Sequence, residues 1–163
     1  MLKLAVESLT AKAFSPFGDV VETSGVAPLH INQGYAERFD NLAPIDVADQ
    51  GGATKVSIFE AKAIARPIVL RVMERHPLGS QIFYPLQNCP CIVVVCGDPR
   101  DFSSYRAFLA AGSQGVNYRR NAWHHPLIAL QNSERFIVVD RLGQQSNLEE
   151  IDISGMAFLV DHE

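Results

Sequence analysis

The chain has 163 residues, of which 47% are hydrophobic and 20% charged, and its formal net charge is −4. This balance is typical of a soluble folded protein and excludes a disordered chain. The longest apolar runs, such as Ile92–Cys96, are too short to span a bilayer, and no run of basic residues marks a nucleic-acid surface. The first ten residues also lack the layout of a signal peptide. We therefore expect a single domain over residues 1–163 that is cytoplasmic and binds a small molecule, with no nucleic-acid or membrane partner.

The predicted elements are short and are mostly strands. Thr10 is expected to cap a helical turn over Ala11–Phe14, which Pro16 ends. Strands are predicted, in chain order, over Val20–Glu22, Thr54–Glu60, Ile68–His76, Gln81–Leu86, Cys91–Cys96, Tyr105–Leu109, Trp123–Leu130 and Phe136–Arg141. The apolar patch Met156–Val160 is expected to add a strand or to cover a sheet edge. About eight short strands favour an all-β sandwich or barrel with a few short helices.

The three cysteines do not predict a disulfide or a zinc site. Cys89, Cys91 and Cys96 are an odd number in a chain without a signal peptide. No second Cys or His pair at zinc-site spacing accompanies Cys89-Pro-Cys91. We expect the cysteines to be small apolar residues of a buried strand.

The segment Ile68–His76 contains the first candidate functional residues. Alternation along one continuous strand would place Ile68, Leu70 and Val72 on an apolar face, and that face would continue to Glu74 and His76. Arg71, Met73 and Arg75 would point the other way. A carboxylate and an imidazole at the end of an inward face need partners, which either a functional cavity or solvent can supply.

The next strand favours a cavity. A Pro-Leu-Gly turn follows His76 and returns the chain to Gln81, giving the pattern Glu74-x-His76-x4-Gln81. This pattern resembles the first cupin motif, whose side chains point into a barrel and bind a divalent metal. The segment from Gly115 to Pro126 resembles the second cupin motif and supplies His124, while His125 is expected on the opposite face.

The metal site implied by this resemblance is altered. Glu74 stands where the motif has its first histidine, and Gln81 stands where it has glutamate. His76, Gln81 and His124, with Glu74 as a further donor, suit a divalent cation such as Ni, Mn, Fe or Zn. The sequence leaves open whether a metal is bound.

Several longer blocks resemble one family, ureidoglycolate lyase, formerly also called ureidoglycolate hydrolase. They are ERHPLGSQIFYPL (74–86), GVNYRRNAWHHPL (115–127), HINQGYAERFDNLA (30–43), FSPFGDVVE (14–22) and VVDRLG (138–143). The resemblance implies a cupin-like antiparallel β-barrel (a double-stranded β-helix), a homodimer, and Ni as the metal. It also implies elimination of urea from (S)-ureidoglycolate to give glyoxylate in allantoin degradation, a step of purine catabolism.

That reaction needs a base for the hydroxyl, an acid for the departing nitrogen and an anchor for the carboxylate. Glu74, His76 and His124 are the titratable candidates, and which of them is the base stays open. Gln81 can orient the ureido group because an amide both donates and accepts. Arg38 and Arg120 are the candidate anchors, since a guanidinium matches a carboxylate bidentately.

Two other functions fit the same sequence features. A cupin-like barrel could bind a metabolite without catalysis, which would fit the altered metal ligands. It could also be another cupin enzyme acting on a small carboxylate, such as an isomerase or a dioxygenase. Assay of glyoxylate release from ureidoglycolate distinguishes them.

Overall fold

The computed structural model describes residues 2–156 and 158–162. These residues form sixteen strands, one four-residue α-helix and four short 3-10 helices. The predicted all-β fold with a few short helices is confirmed. No helix in this part of the chain has the length and apolar character needed to cross a bilayer.

The elements follow one another at short intervals. The helix α1 covers Ala11–Phe14, and the 3-10 helices cover Asn32–Gly34, Asp49–Gly51, Phe102–Ser104 and Ser154–Met156. The strands are β1 (Leu2–Ser8), β2 (Gly18–Val21), β3 (Leu29–Ile31), β4 (Ala36–Arg38), β5 (Ala53–Ala61), β6 (Ile68–Leu70), β7 (Val72–Arg75), β8 (Gln81–Pro85), β9 (Cys91–Cys96), β10 (Tyr105–Ala110), β11 (Gly115–Tyr118), β12 (Trp123–His124), β13 (Ile128–Ala129), β14 (Glu134–Leu142), β15 (Glu149–Asp152) and β16 (Phe158–Asp161).

The strands form two main sheets and a separate hairpin. The larger sheet has the order β15-β7-β12-β9-β10-β1-β16-β6, with β13 also paired to β9. The smaller sheet has the order β2-β11-β8-β14-β5, and β3 pairs only with β4. Strand β1 runs parallel to both of its neighbours, whereas the other ladders of the described residues are antiparallel. The predicted antiparallel arrangement therefore holds except at β1, a strand that the sequence did not reveal.

The larger sheet curls back on itself. Its edge strand β6 and the strand β7 near its other edge are separated in the chain by Arg71 alone. Leu70 of β6, Met73 of β7 and Phe158 of β16 therefore meet in one fully buried core. This curvature confirms the barrel-forming character of the predicted all-β fold.

A second core lies between the two sheets. Val93 and Val95 of β9 pack there with Phe83 and Phe136 of the smaller sheet. The alternate residues of β9, among them Val94, belong to the core inside the curled sheet. Strand β9 is thus buried on both faces, which explains its uninterrupted apolar sequence.

The structure corrects the predicted strand Ile68–His76. The chain leaves strand geometry at Arg71, and β6 and β7 are separate strands. Because of this break, Met73 joins Ile68 and Leu70 in the same core. Glu74 therefore lies on the opposite face from Ile68 and Leu70, and the predicted continuous stripe is wrong. The alternation inside β7 is unaffected, so Arg75 still points away from Glu74.

Three smaller predictions have clear outcomes. The Thr10 side chain accepts a hydrogen bond of 3.2 Å from the Ala13 amide and caps α1 as expected. All three cysteines are free and buried. In the predicted patch Met156–Val160, residue 157 lies outside the described residues. Phe158 and Val160 are buried between β1 and β6, so these residues complete the protein's own core and need no partner to cover them.

Candidate active site

His76, His124 and Glu74 lie close together on the face of the larger sheet that faces the smaller sheet. The antiparallel register of β12 and β7 places His124 directly opposite Glu74. His124 Nε2 lies 3.3 Å from Glu74 Oε1, and His76 Nε2 lies 4.0 Å from the same oxygen. The two imidazole rings are 5.3 Å apart, centre to centre. The predicted proximity of His76 and His124 is therefore confirmed.

Main-chain carbonyls hold both imidazoles in one orientation. His76 Nδ1 lies 2.7 Å from the carbonyl oxygen of Asn147, and His124 Nδ1 lies 2.9 Å from that of Ala122. A carbonyl only accepts, so each Nδ1 carries the proton of its hydrogen bond. Each Nε2 then faces Glu74 and, in the neutral ring, presents a lone pair. Both Nε2 atoms are buried without a hydrogen-bond partner.

The Glu74 carboxyl is negatively charged at neutral pH. Burial raises its pKa, but the adjacent His124 side chain, with smaller effects of His76 and His125, outweighs burial and lowers the pKa overall. When both rings are neutral, this carboxylate lies between two imidazole lone pairs. Three electron-pair donors at this separation repel one another unless a proton or a cation lies among them.

This donor set fits a divalent cation. One nitrogen from each histidine and one carboxylate oxygen of Glu74 all lie within 4.8 Å of one another. Imidazole nitrogen and carboxylate oxygen are common ligands of Zn, Ni, Mn and Fe ions. The carbonyls bonded to Nδ1 of each ring supply the outer hydrogen bonds that orient metal-binding histidines.

Tyr118 connects this cluster to the smaller sheet. Its ring stacks on the His124 imidazole, with centroids 3.9 Å apart and planes 8° from parallel. Tyr118 belongs to β11 and lies opposite Gln81 of β8. Burial, with smaller effects of Cys91 and Glu74, raises the pKa of Tyr118, so its phenol stays neutral. Tyr118 thus supports the His124 ring as a flat apolar wall.

Gln81 faces the same space and has unexpected neighbours. It lies two residues before Phe83, which packs in the core between the sheets. Its amide nitrogen donates to Asp140 Oδ2 at 3.2 Å, and its amide oxygen is buried without a partner. Asp140 in turn lies 3.5 Å from Lys55 Nζ. The sequence analysis missed Asp140 and Lys55, although alternation from Val138 would have placed Asp140 on this face.

The two predicted arginine anchors make other contacts. Arg38 lies on the hairpin β3–β4 and pairs with Asp40 at 2.8 Å. Arg120 binds both Asp46 and Asp49, each at 2.8 Å. Among the described residues, neither arginine makes a hydrogen bond or an ion pair with the cluster or with Gln81. Both guanidinium groups are thus already neutralised by carboxylates.

Two further side chains lie away from the cluster. His125 is buried and borders a surface pocket beside Arg71, and burial lowers the pKa of His125. Arg75 pairs with Glu149 and lies 4.6 Å from the Trp123 ring. These positions agree with the expected side-chain alternation around Glu74 and His124.

An all-β chain with an inward His–His–Glu cluster has the features of an enzyme that moves protons or holds a metal on a small substrate. Comparison with known proteins identifies the group more narrowly. The family model described as ureidoglycolate lyase matches residues 1–159. A Burkholderia mallei protein named ureidoglycolate lyase is 50% identical over 163 residues, covering 99% of this chain and 95% of its own. A Brucella ovis protein of the same name is 47% identical over 159 residues, covering 97% and 94%. The chain belongs to the ureidoglycolate lyase family.

Solved structures with a related arrangement are distant in sequence. A TDP-quinovose 3,4-ketoisomerase from Campylobacter jejuni is 10% identical, covers 78% of this chain and 86% of its own, and gives a TM-score of 0.46. A mutant oxalate decarboxylase of Bacillus subtilis is 9% identical, covers 69% and 28%, and gives a TM-score of 0.38.

Proposed function

We propose that the protein eliminates urea from (S)-ureidoglycolate, giving glyoxylate, and that the reaction takes place at the Glu74–His76–His124 cluster. The observation that supports this most directly is the convergence of three donors within 4.8 Å on an inward face, in a chain of this family. The proposal takes residues 1–163 as one catalytic domain. A purely metabolite-binding role is less favoured because the chain's family is that of a lyase.

The chemistry of the substrate defines the work of each group. The reacting carbon carries a hydroxyl, a carboxylate and a ureido group. The hydroxyl loses its proton, its oxygen forms the carbonyl of glyoxylate, the C–N bond breaks, and the urea nitrogen gains a proton. Glu74 is ionised and can accept the hydroxyl proton. If no cation is bound, an imidazolium at His76 or His124 can supply the proton that urea takes up. Gln81 can orient the ureido group through its amide oxygen.

We further propose that His76, His124 and Glu74 hold a divalent cation. Its ligands would be the two Nε2 atoms and a Glu74 oxygen, the atoms that face one another across the cluster. A divalent cation polarises a bound hydroxyl and lowers its pKa. Ni follows from the family resemblance, and Mn, Fe and Zn accept the same donors. A ligand role of Gln81 stays a prediction.

The decisive experiment follows both products. Purified protein is incubated with (S)-ureidoglycolate, and glyoxylate, urea and ammonia are measured over time against the spontaneous rate. One urea per glyoxylate is expected, whereas ammonia release would assign hydrolysis of the ureido group instead. Repeating the assay after chelation, and then with each metal restored, tests the cation. A chelated protein that keeps its full rate would refute the metal proposal.

We also propose a cytoplasmic homodimer. Strand β5 is the edge of the smaller sheet, and its residues Val56 and Ile58 are 63% and 49% exposed. An exposed apolar edge strand is a typical pairing surface, and two-fold dimers are the commonest soluble oligomers. Light scattering should give twice the 18.0 kDa chain mass. A mass near that of one chain at micromolar concentration would refute the dimer.

A further inference from the structure

A row of polar side chains crosses one end of the inner face of the smaller sheet. Asp140 lies two residues beyond Val138, which is fully buried in the core between the sheets. Register pairs Lys55 of β5 with Asp140 of β14. Since paired residues share a face of a sheet, Lys55, Asp140 and Gln81 all face the space in front of Tyr118 and His124.

Two groups of this row, the Gln81 amide oxygen and the Lys55 ammonium, have unused hydrogen-bonding capacity. Gln81 is 6% exposed and its Oε1 atom, a hydrogen-bond acceptor, is buried without a partner. Lys55 Nζ lies 3.5 Å from Asp140 Oδ1, longer than a usual hydrogen bond of about 2.7–3.2 Å. The ammonium therefore keeps donors free, while its side chain is 43% exposed. The row offers a cation at one end and an unused acceptor near the cluster.

We infer that Lys55 binds the substrate's carboxylate and that Gln81, held by Asp140, accepts a hydrogen bond from its ureido N–H group. This rests on the proposed function and deepens it. A 2-hydroxy acid with a ureido group has a carboxylate, which matches this cation, and ureido N–H donors, which match this acceptor. Arg38 and Arg120 are less suitable because their guanidinium groups already bind aspartates.

A purely structural role for Lys55 is the competing explanation. An inward-pointing charge on an edge strand also discourages edge-to-edge pairing of sheets. That role would not require a buried, unpartnered acceptor beside Asp140. It also predicts that loss of Lys55 alters association or stability and leaves ligand affinity unchanged. A ligand-binding measurement therefore separates the two roles.

The test compares Lys55→Met with the parent by calorimetry, using glycolate and its uncharged amide, glycolamide, as probes. Glycolate keeps the hydroxyl and the carboxylate, and neither probe carries an aldehyde that could react with lysine. Lys55→Met should weaken glycolate binding about 10- to 100-fold, the scale of losing a charge-assisted hydrogen bond. Glycolamide affinity should change less than about 3-fold, because no charge pair is lost. Lys55→Arg should retain most of the affinity for glycolate.

Two control variants test whether the loss of glycolate affinity is specific to Lys55. Lys62→Met removes one lysine charge just beyond the end of β5 and should leave the affinity for glycolate unchanged. Arg120→Ala tests the anchor that the sequence predicted. In the lyase assay, Lys55→Met should raise KM for ureidoglycolate by the same factor with kcat little changed.

The inference is overturned if Lys55→Met binds glycolate within about 2-fold of the parent, if the parent does not bind glycolate, or if Arg120→Ala causes the loss instead. Failure of the proposed function would appear differently. The parent would then release no urea and glyoxylate, while the dependence of glycolate binding on Lys55 would still decide the inference.

Discussion

Replacing each cluster histidine by alanine should have equal effects on catalysis and unequal effects on stability. Losing a proton-transfer or metal-holding imidazole should lower kcat at least about 100-fold, or about 2.7 kcal/mol of transition-state stabilisation. His76→Ala and His124→Ala should both show this loss, because both Nε2 atoms face the same Glu74 oxygen.

The stability difference follows from packing. His124 is 1% exposed and stacks on Tyr118, so His124→Ala leaves a cavity and should cost about 2–4 kcal/mol, near the scale of aromatic truncations. The His76 side chain is 16% exposed, and His76→Ala should cost about 1 kcal/mol for its lost hydrogen bond. His124 therefore contributes to packing through its contact with Tyr118 as well as to the cluster.

The assays are steady-state glyoxylate release and unfolding in guanidinium chloride, since urea is itself a product. Arg75→Ala is the matched control, because Arg75 points away from the cluster and contacts Trp123 and Glu149. Its rate should stay within about 3-fold of the parent. A folded His124→Ala protein with a rate that close to the parent would refute the site. Equal stabilities of the two histidine variants would refute the packing argument.

Three further predictions test other parts of the structure. The hydrogen bond to Arg106 lowers the pKa of Glu7, so the pair stabilises the fold above the ordinary glutamate range, and this is lost as pH falls through the lowered pKa. Glu7→Gln should therefore lower Tm slightly at pH 7 and by less at pH 3; an equal decrease at both would contradict this. Gly18 has φ +155°, and a Cβ at this position would lie 1.8 Å from the carbonyl oxygen of Asn117. Gly18→Ala should therefore lower the free energy of unfolding, measured with denaturant, by about 3 kcal/mol or more. A loss below about 1 kcal/mol would contradict this. Burial raises the pKa of Cys91 and of Cys96 to about 12. Because the thiolate is the reactive form, a thiol reagent at pH 8 should label these cysteines only after the protein unfolds. Fast labelling of the native protein would contradict this prediction.

Much of the fold could be predicted because the strongest strands are buried on both faces or bounded by turn residues. The limits of β9 match the prediction, and β8, β10 and β14 differ from it by one or two residues at their ends. The strands β1, β3, β4, β11 and β15 were missed. Strand β15 is mostly exposed and charged, and its conformation depends on pairing with β7 rather than on an apolar pattern.

The candidate site was predictable where it depends on local spacing. Glu74 and His76 share a side of one short segment, and the second motif supplied His124. The anchors were harder to predict, because an arginine's partners come from distant parts of the chain. Arg120 pairs with residues more than seventy positions away. Lys55 lacked a distinctive motif and became visible only through its register with Asp140.

The single residue between β6 and β7 has a consequence for how this chain tolerates change in length. Because Arg71 lies outside strand geometry, Leu70 and Met73 point into one core while Glu74 points into the other space. If the corner between the strands keeps its conformation, a residue added or removed there would shift β7 by one position, directing Glu74 into the apolar core and Met73 toward the imidazoles. We therefore expect position 71 to accept many side chains but no insertion or deletion. The spacing of the chain at this point, rather than the identity of the amino acid, keeps the carboxylate beside its histidines.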